Sequence, residues 1–204
     1  MKRMLCAVLA ILLAITLTGC RREEPEPTPN PIATIIMANG STMRFELHLD
    51  AAPNTVANFC TLANKGFYDG LEFFRVVPGV FIQAGDPNND GTGDAGYTIK
   101  GEFSKNGVTN DLSHNRGVIS MARKEGYNTA SSQFFIMQGN YPEYDGSYAA
   151  FGTALDEETL ATLDAIASQP VDGHYLPYQR QKIQTVRVNT HDVELEAETI
   201  PLEK

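Results

Sequence analysis

The chain has 204 residues, enough for one domain with a substantial core and short for two. Its formal charge is −9, and no stripe of Lys and Arg runs through it, which argues against nucleic-acid binding. Of its three cysteines, Cys6 and Cys20 fall in the first twenty positions, which excludes a disulfide framework in the globular part.

Lys2 and Arg3 precede the apolar run MLCAVLAILLAITLTG, which has the length of a signal-peptide core. The run ends in LTGC, residues 17–20, and this resembles the lipobox of bacterial lipoproteins, in which the new N-terminal cysteine carries the lipid. The resemblance implies a signal peptide over 1–19 and lipidation of Cys20. It also implies an extracytoplasmic protein anchored to the bacterial cell membrane rather than spanning it. An ordinary secretory signal and an uncleaved anchor are the alternatives. Loss of Lys2 and Arg3 with the leader deepens the charge from −9 to −11. RREEPEPTPNP then alternates proline and charge, which makes residues 20–31 an extended tether.

The globular part is expected over 32–193. IATIIMANGSTMRFELHLD reads as two strands joined at Asn39-Gly40, the second with Met43, Phe45, Leu47 and Leu49 on its dry face. In AAPNTVANFCTLANKGF, Val56, Phe59, Cys60 and Ala63 recur at helical spacing, with Pro53 suited to the start and Gly66 to the end. Cys60 is thus expected to be a buried small apolar residue. LEFFRVVPGVFIQAGD predicts two short strands around Pro78-Gly79, and GVISMA, SQFFIMQ and AAFGTAL predict more. DEETLATLDAIAS predicts a second helix with Leu160, Leu163 and Ile166 or Ala167 on one face, and KIQTVRVNTHDVEL a closing strand. ELEAETIPLEK, residues 194–204, reads as a loose charged tail. Many short strands, two helices and no regular βαβ alternation suggest a mainly β fold, a closed antiparallel barrel.

GDPNNDGTGDAGYTI contains two motifs that compete for the same residues. Gly91, Gly93 and Gly96 spell a dinucleotide-binding turn, but no helical period follows them to meet a pyrophosphate. Asp86, Asn88, Asp90 and Gly91 spell half an EF-hand loop, but its twelfth position is Tyr97 rather than glutamate. Weak calcium binding by Asp86, Asp90 and Asp94 remains a candidate. The histidines His48, His114, His174 and His191 form no metal-ligand spacing and read as surface or loop residues. Ser131-Ser132-Gln133 is no nucleophile elbow.

Three blocks in order carry a family resemblance: FFRVVPGVFIQAGDP (73–87), RGVISMARKEGYNTASSQFFIM (116–137) and YDGSYAAFGTAL (144–155). Together with APNTVANFCTLANKGFYDGLEFFR they are similar to the cyclophilin family of peptidyl-prolyl cis-trans isomerases. The resemblance implies an eight-stranded antiparallel barrel capped by two α-helices, with a substrate groove on its outer surface. It implies isomerisation of X-Pro bonds in proline-containing polypeptides, with neither cofactor nor metal. Gly91-Thr92-Gly93 takes the place of the family's loop bordering the groove.

The same resemblance assigns residues. Arg75 matches the catalytic arginine and Gln83 the glutamine that holds it. Gln133 matches a contact to substrate backbone, and Ala122 and Arg123 the segment that pairs with substrate main chain. Phe81, Phe135 and Tyr144 match the apolar proline pocket, joined by Val80 and Met121. The departures are Val80 where phenylalanine is usual, Arg123 for asparagine, Tyr148 for histidine, and Tyr144 for a smaller aliphatic residue. Glu143 stands where cyclosporin-sensitive members carry tryptophan, which implies weak binding of that drug.

The expectation is a monomeric, lipid-anchored folding catalyst for secreted or cell-envelope proteins. The alternative is a catalytically weak cyclophilin-like module that binds proline-containing segments. A solute-binding lipoprotein would need an enclosed pocket, of which the sequence gives no sign.

Overall fold

The computed structural model describes residues 28–202. The leader 1–19, Cys20 and most of the tether lie outside the described residues.

The first hairpin forms where expected. Strand β1 (Ile32–Met37) pairs antiparallel with β2 (Thr42–Leu47), Ile35 opposite Met43 and Ala33 opposite Phe45. Gly40 closes the turn at φ +87°, a conformation that costs glycine little. Met43, Phe45 and Leu47 are fully buried while Arg44 is exposed, so the period of two is realised.

Helix α1 (Pro53–Asn64) follows, its Val56, Phe59, Cys60 and Ala63 turned into the core. Burial pushes the Cys60 thiol up to about 12, in keeping with an unreactive packing residue. The residue preceding the helix is Ala52, which has no side-chain acceptor for the free N–H groups of the first turn. Buried Glu102 replaces it from a distant loop, accepting from the N–H groups of Asn54 (3.0 Å) and Thr55 (2.7 Å) and from the Thr55 hydroxyl (2.6 Å). A carboxylate there also opposes the helix dipole.

Strands β3 (Arg75–Val77) and β4 (Phe81–Ala84) flank Pro78-Gly79. Next come β5 (Tyr97–Thr98), β6 (Val118–Met121), β7 (Phe134–Met137) and β8 (Ala149–Ala154). Helix α2 (Glu157–Ala167) starts at Asp156, whose carboxylate accepts from the Thr159 N–H, and it buries Leu163, Ile166 and Ala167. Strand β9 (Ile183–Asn189) completes the main sheet, in the order β3-β4-β7-β6-β8-β2-β1-β9, all pairs antiparallel.

The sheet curls through 221°, a half-barrel. Its edges β3 and β9 do not pair with each other as strands. Contact across that gap is made by the residues leading into β3 and the start of β9: Glu72 bridges Lys182, the Phe73 N–H donates to the Gln181 carbonyl and the Ile183 N–H to that of Leu71, so the expected closed barrel is an incompletely closed one. Inside the curl Phe59 packs on Tyr68, Phe134 and Phe151 at 5.2–5.4 Å between ring centroids. Helix α1 covers β8 and β9, and α2 covers β2, β3 and β4.

The tail is not loose. Strand β10 (Ile200–Pro201) pairs with β5, and Asn54 exchanges two hydrogen bonds with the Glu198 backbone. Asn54 is a half-buried residue of the first turn of α1, where its amide offers both a donor and an acceptor to a passing chain. Among the described residues no helix is long and apolar enough to cross a membrane.

Candidate active site

Because successive strand residues face opposite ways, the strands that build the core also display a second surface. Val76, Ile82, Phe134, Ile136, Ile119 and Met121 point into the core. On the other face a row runs across four strands, Arg75 opposite Gln83, Gln83 opposite Phe135, and Phe135 opposite Ser120.

Polar groups in and beside this row are linked. An Nη1–H of exposed Arg75 donates to Gln83 Oε1 at 3.2 Å, and Gln83 Nε2 donates to Gln133 Oε1 at 2.9 Å. Gln133 Nε2 in turn donates to the carbonyls of Gly91 (3.2 Å) and Gly93 (2.9 Å). Gln83 is only 9% exposed, so its amide is held by these partners rather than by water. The Arg75 guanidinium lies over the Phe81 ring, 5.1 Å from its centroid, and among the described residues it has no carboxylate partner.

Asp86 explains the glycine-rich loop. Its carboxylate is fully buried and accepts from the backbone N–H groups of Asn88, Asp90, Gly91 and Gly93. A Cβ at position 93 would lie 2.1 Å from Asp86 Oδ1, and Gly91 sits at φ +94°. The glycines are therefore required by the wrapping of the loop around a carboxylate, not by a nucleotide. The calcium candidate fails for the same reason. Asp86 is committed to backbone, Asp90 to the hydroxyl and N–H of Thr92, and Asp94 to the Gly96 N–H. Among the described residues no three His, Cys, Asp or Glu side chains are grouped to hold a metal ion.

On one side of Arg75 lies an aromatic cluster. Phe81 and Phe135 are 5.4 Å apart, half-buried Tyr144 lies 5.9 Å from Phe135 and 6.4 Å from Phe81, and Tyr148 is 5.5 Å from Phe135. Val80 packs at its edge. Met121, expected here, belongs to the inner core, because Val118 and Ser120 take the outward positions of β6.

Beneath the cluster is His114, 1% exposed and not the surface residue expected. Its Nδ1 lies 2.8 Å from Asp145 Oδ1 and its Nε2 3.0 Å from Ser120 Oγ, while its ring lies 6.0 Å from that of Phe135 and nearly parallel to it. This order imitates a hydrolytic triad, but Ser120 is fully buried and no substrate reaches it. Burial holds the imidazole below its ordinary value of 6.5, with the Asp145 bond opposing only in part.

On the other side of Arg75 is an open cavity of about 480 Å³. Its lining includes Arg75, Gln83, Gly91, Ala122, Arg123 and Gln133, together with the charged or titratable Asp94, Lys124, Asp172 and His174. Lys124 Nζ stands 3.7 Å from Asp94 Oδ2 at its edge. Of the residues expected to contact substrate, Val80, Phe81, Phe135, Tyr144 and Tyr148 lie with the aromatic cluster, and Thr92 lies on the exposed loop.

The sequence profile of the family described as "Cyclophilin type peptidyl-prolyl cis-trans isomerase/CLD" matches residues 32–188. The chain belongs to the cyclophilins. Its reaction is isomerisation of the peptide bond before proline. Among curated relatives, "Peptidyl-prolyl cis-trans isomerase B" of Bacillus subtilis (strain 168) is 48% identical over 117 residues, 57% of this chain and 78% of that protein. A "Peptidyl-prolyl cis-trans isomerase" of Helicobacter pylori (strain ATCC 700392 / 26695) is 41% identical over 144 residues, 71% of this chain and 85% of that protein. A crystal structure of a Cryptosporidium parvum cyclophilin-type isomerase covers 78% of this chain and 98% of its own at TM-score 0.69 and 31% identity. Another of that protein, in the presence of the dipeptide Ala-Pro, gives TM-score 0.68.

In this cyclophilin Arg123 does something its family position does not suggest. Its guanidinium carbon lies 4.9 Å from the Tyr148 ring centroid, 5.3 Å from that of Phe103 and 5.5 Å from that of Tyr127. It donates to the carbonyls of Ser147, Lys124 and Glu125. The side chain is thus a strut for the 124–127 loop. Sequence reasoning also missed Phe74, Lys124, Asp172, His174 and Leu176 on the cavity wall. Three of these come from the long connection 168–182 between α2 and β9, whose length was the available signal.

Proposed function

We propose that Arg75 is the catalytic group, Gln83 its positioning partner, and the surface from the 480 Å³ cavity to the Phe81–Phe135–Tyr144 cluster the groove for a proline-containing chain. The observation that carries this is the exposed, carboxylate-free Arg75 guanidinium, fixed by Gln83 between an open cavity and an aromatic surface.

The chemistry fits these parts. The X-Pro bond crosses a barrier of about 18–20 kcal/mol because its C–N bond is partly double. As the bond twists, conjugation is lost and the proline nitrogen becomes a better hydrogen-bond acceptor. A guanidinium held beside it donates more strongly to the twisted state than to either planar one, which lowers the barrier. Gln133, with Ala122 and the backbone of Arg123, holds the substrate main chain. Phe81 and Phe135 receive the proline ring, with Val80, Tyr144 and Tyr148 around it. Gly91 and Thr92 border the groove. No cofactor or metal enters this scheme.

The site of action we infer is the outer side of the bacterial cell membrane. The protein is held there as a monomer through lipid on Cys20 after removal of 1–19, with 20–31 as tether to the barrel. The support is LTGC after an apolar run and the charged, proline-rich stretch that follows. Cyclosporin binds weakly, given Glu143. A second reading, a binding module of low catalytic power, draws on the near-complete burial of Phe81 and Phe135 beside Tyr144.

The test of activity is cis–trans exchange of a short Xaa-Pro peptide by NMR, with the full chain in detergent micelles and its Arg75→Ala form. Acceleration that collapses in the variant supports isomerisation centred on Arg75. Peptide binding without acceleration by the parent protein favours the binding module. For the address, metabolic labelling with a fatty acid should mark the protein and not its Cys20→Ala form. Equal labelling of both would remove the lipid anchor from the account.

A further inference from the structure

We propose that Tyr175, Leu176 and Tyr178 form a second contact site, which takes an apolar or aromatic side chain of an unfolded polypeptide whose proline occupies the groove. The proposal rests on the isomerase reading above and adds to it a second point of contact for the same substrate chain.

Exposed large apolar side chains among the described residues are Tyr127, Leu155, Tyr175, Leu176, Tyr178, Ile200 and Leu202. Three of the seven fall within four consecutive positions, and Tyr178 is the most exposed at 75%. A single exposed tyrosine needs no explanation, but three exposed large apolar side chains in one short loop beside an open cavity call for one.

The loop reaches the groove through Leu176, which with His174 lines the same cavity as Arg75 and Gln83, and Tyr175 and Tyr178 flank Leu176 in the chain. The Val76 N–H donates to the Tyr175 carbonyl at 2.8 Å, so the loop is fastened to the residue next to Arg75. Arg180 holds its far end to Glu72 at 3.0 Å.

The loop is also built to hold its shape. Asp172 Oδ1 accepts from the N–H groups of His174 (2.8 Å) and Leu176 (3.0 Å), the Asp172 N–H donates to the Leu176 carbonyl, and Val171 bridges Pro177. These bonds keep Tyr175 at φ +66°, a left-handed conformation that a large side chain rarely adopts. A rim ordered before substrate arrives loses little conformational entropy on binding. Tyrosine and leucine offer an apolar surface with one polar tip, suited to the varied side chains of an unfolded chain and unable to discriminate strongly among them.

The test compares two substrates on the full chain. One is a short Xaa-Pro peptide that fills only the groove, followed by NMR exchange. The other is a reduced, carboxymethylated and permanently unfolded protein, added as a competitor of that exchange. Tyr178→Ser, and Tyr175→Asn, which suits the positive φ, should leave peptide turnover unchanged and raise the inhibition constant of the unfolded protein about fivefold or more, as loss of an aromatic contact predicts. Tyr178→Phe should restore it. An unchanged inhibition constant with normal peptide turnover overturns the rim proposal and leaves the isomerase reading standing. Absent peptide turnover in the parent protein overturns that reading, and the rim proposal with it. Concentration-dependent self-association of the parent, lost in Tyr178→Ser, would assign the rim to a second copy and also overturn the proposal.

Discussion

Gln83 stands directly opposite Arg75 on neighbouring antiparallel strands, and its side-chain carbonyl accepts a 3.2 Å hydrogen bond from the guanidinium. The two side chains leave the sheet on the same face, so one orients the other. Arg75→Ala should lower the exchange rate about a hundredfold or more, the usual cost of losing a transition-state donor. Gln83→Leu should lower it less, because the guanidinium remains but is no longer aimed. Chemical denaturation should show a loss of only about 1 kcal/mol in Arg75→Ala, because the exposed guanidinium takes with it one bond to the buried Gln83 carbonyl and its contact with Phe81.

Arg123 is a strut rather than a surface charge, so its replacement should act on stability and affinity together. Arg123→Ala removes three cation–π contacts and three carbonyl acceptors' donor. A loss of about 1–3 kcal/mol in chemical denaturation is expected. The KM for an Xaa-Pro peptide should rise more than kcat falls. Arg123→Lys should recover little of either, because an ammonium lacks the planar fork.

His114 makes stability depend on pH. Its folded value lies below 6.5, so between that value and 6.5 the unfolded chain binds more protons than the folded one. Its contribution is complete above about pH 6.5 and declines as the pH falls through that window. Asp145 is also held below its ordinary 3.8. Burial opposes this, but the N–H and ring of His114 and the Ser113 hydroxyl outweigh it, and its own window lies below 3.8. Melting temperatures measured from pH 7.5 to 5 should fall in the parent and fall less in His114→Asn. Parallel curves would contradict this.

Glu102 should matter to the fold and not to the reaction. Glu102→Ala removes the acceptor for two backbone N–H groups and a hydroxyl at the start of α1. Denaturation should show a loss of about 1–3 kcal/mol. Peptide exchange at a temperature where the variant is folded should equal that of the parent.

Which of these parts were visible in the sequence follows from how local they are. Arg75 and Gln83 belong to one short run, FFRVVPGVFIQAGDP, whose resemblance to a family block marks both, and the structure adds that they stand opposite each other across Pro78-Gly79. The Asn39-Gly40 hairpin and both helices are likewise local patterns. The inward face of Met121 is not legible in GVISMA, which is apolar on both sides, and only pairing with β7 and β8 decides which side is inner. The burial of His114 depends on Asp145, 31 residues away, and the Arg123 cage on Phe103, Tyr127 and Tyr148 from separate loops. The docking of the tail depends on the pairing of β10 with β5 and on one asparagine amide in α1. No periodicity announces contacts of this kind.

The alternation along β4 and β7 has a consequence for how this surface can change. Phe81 and Gln83 look outward, while Ile82 between them fills the core, as do Phe134 and Ile136 on either side of Phe135. A single-residue insertion within either strand would exchange the two sets, turning the reacting surface inward and the packing residues out. Point substitutions can therefore retune the groove, but changes in length are confined to the loops around it. New specificity in such a molecule is expected to arise by lengthening connections such as 168–182, with the strands keeping their count.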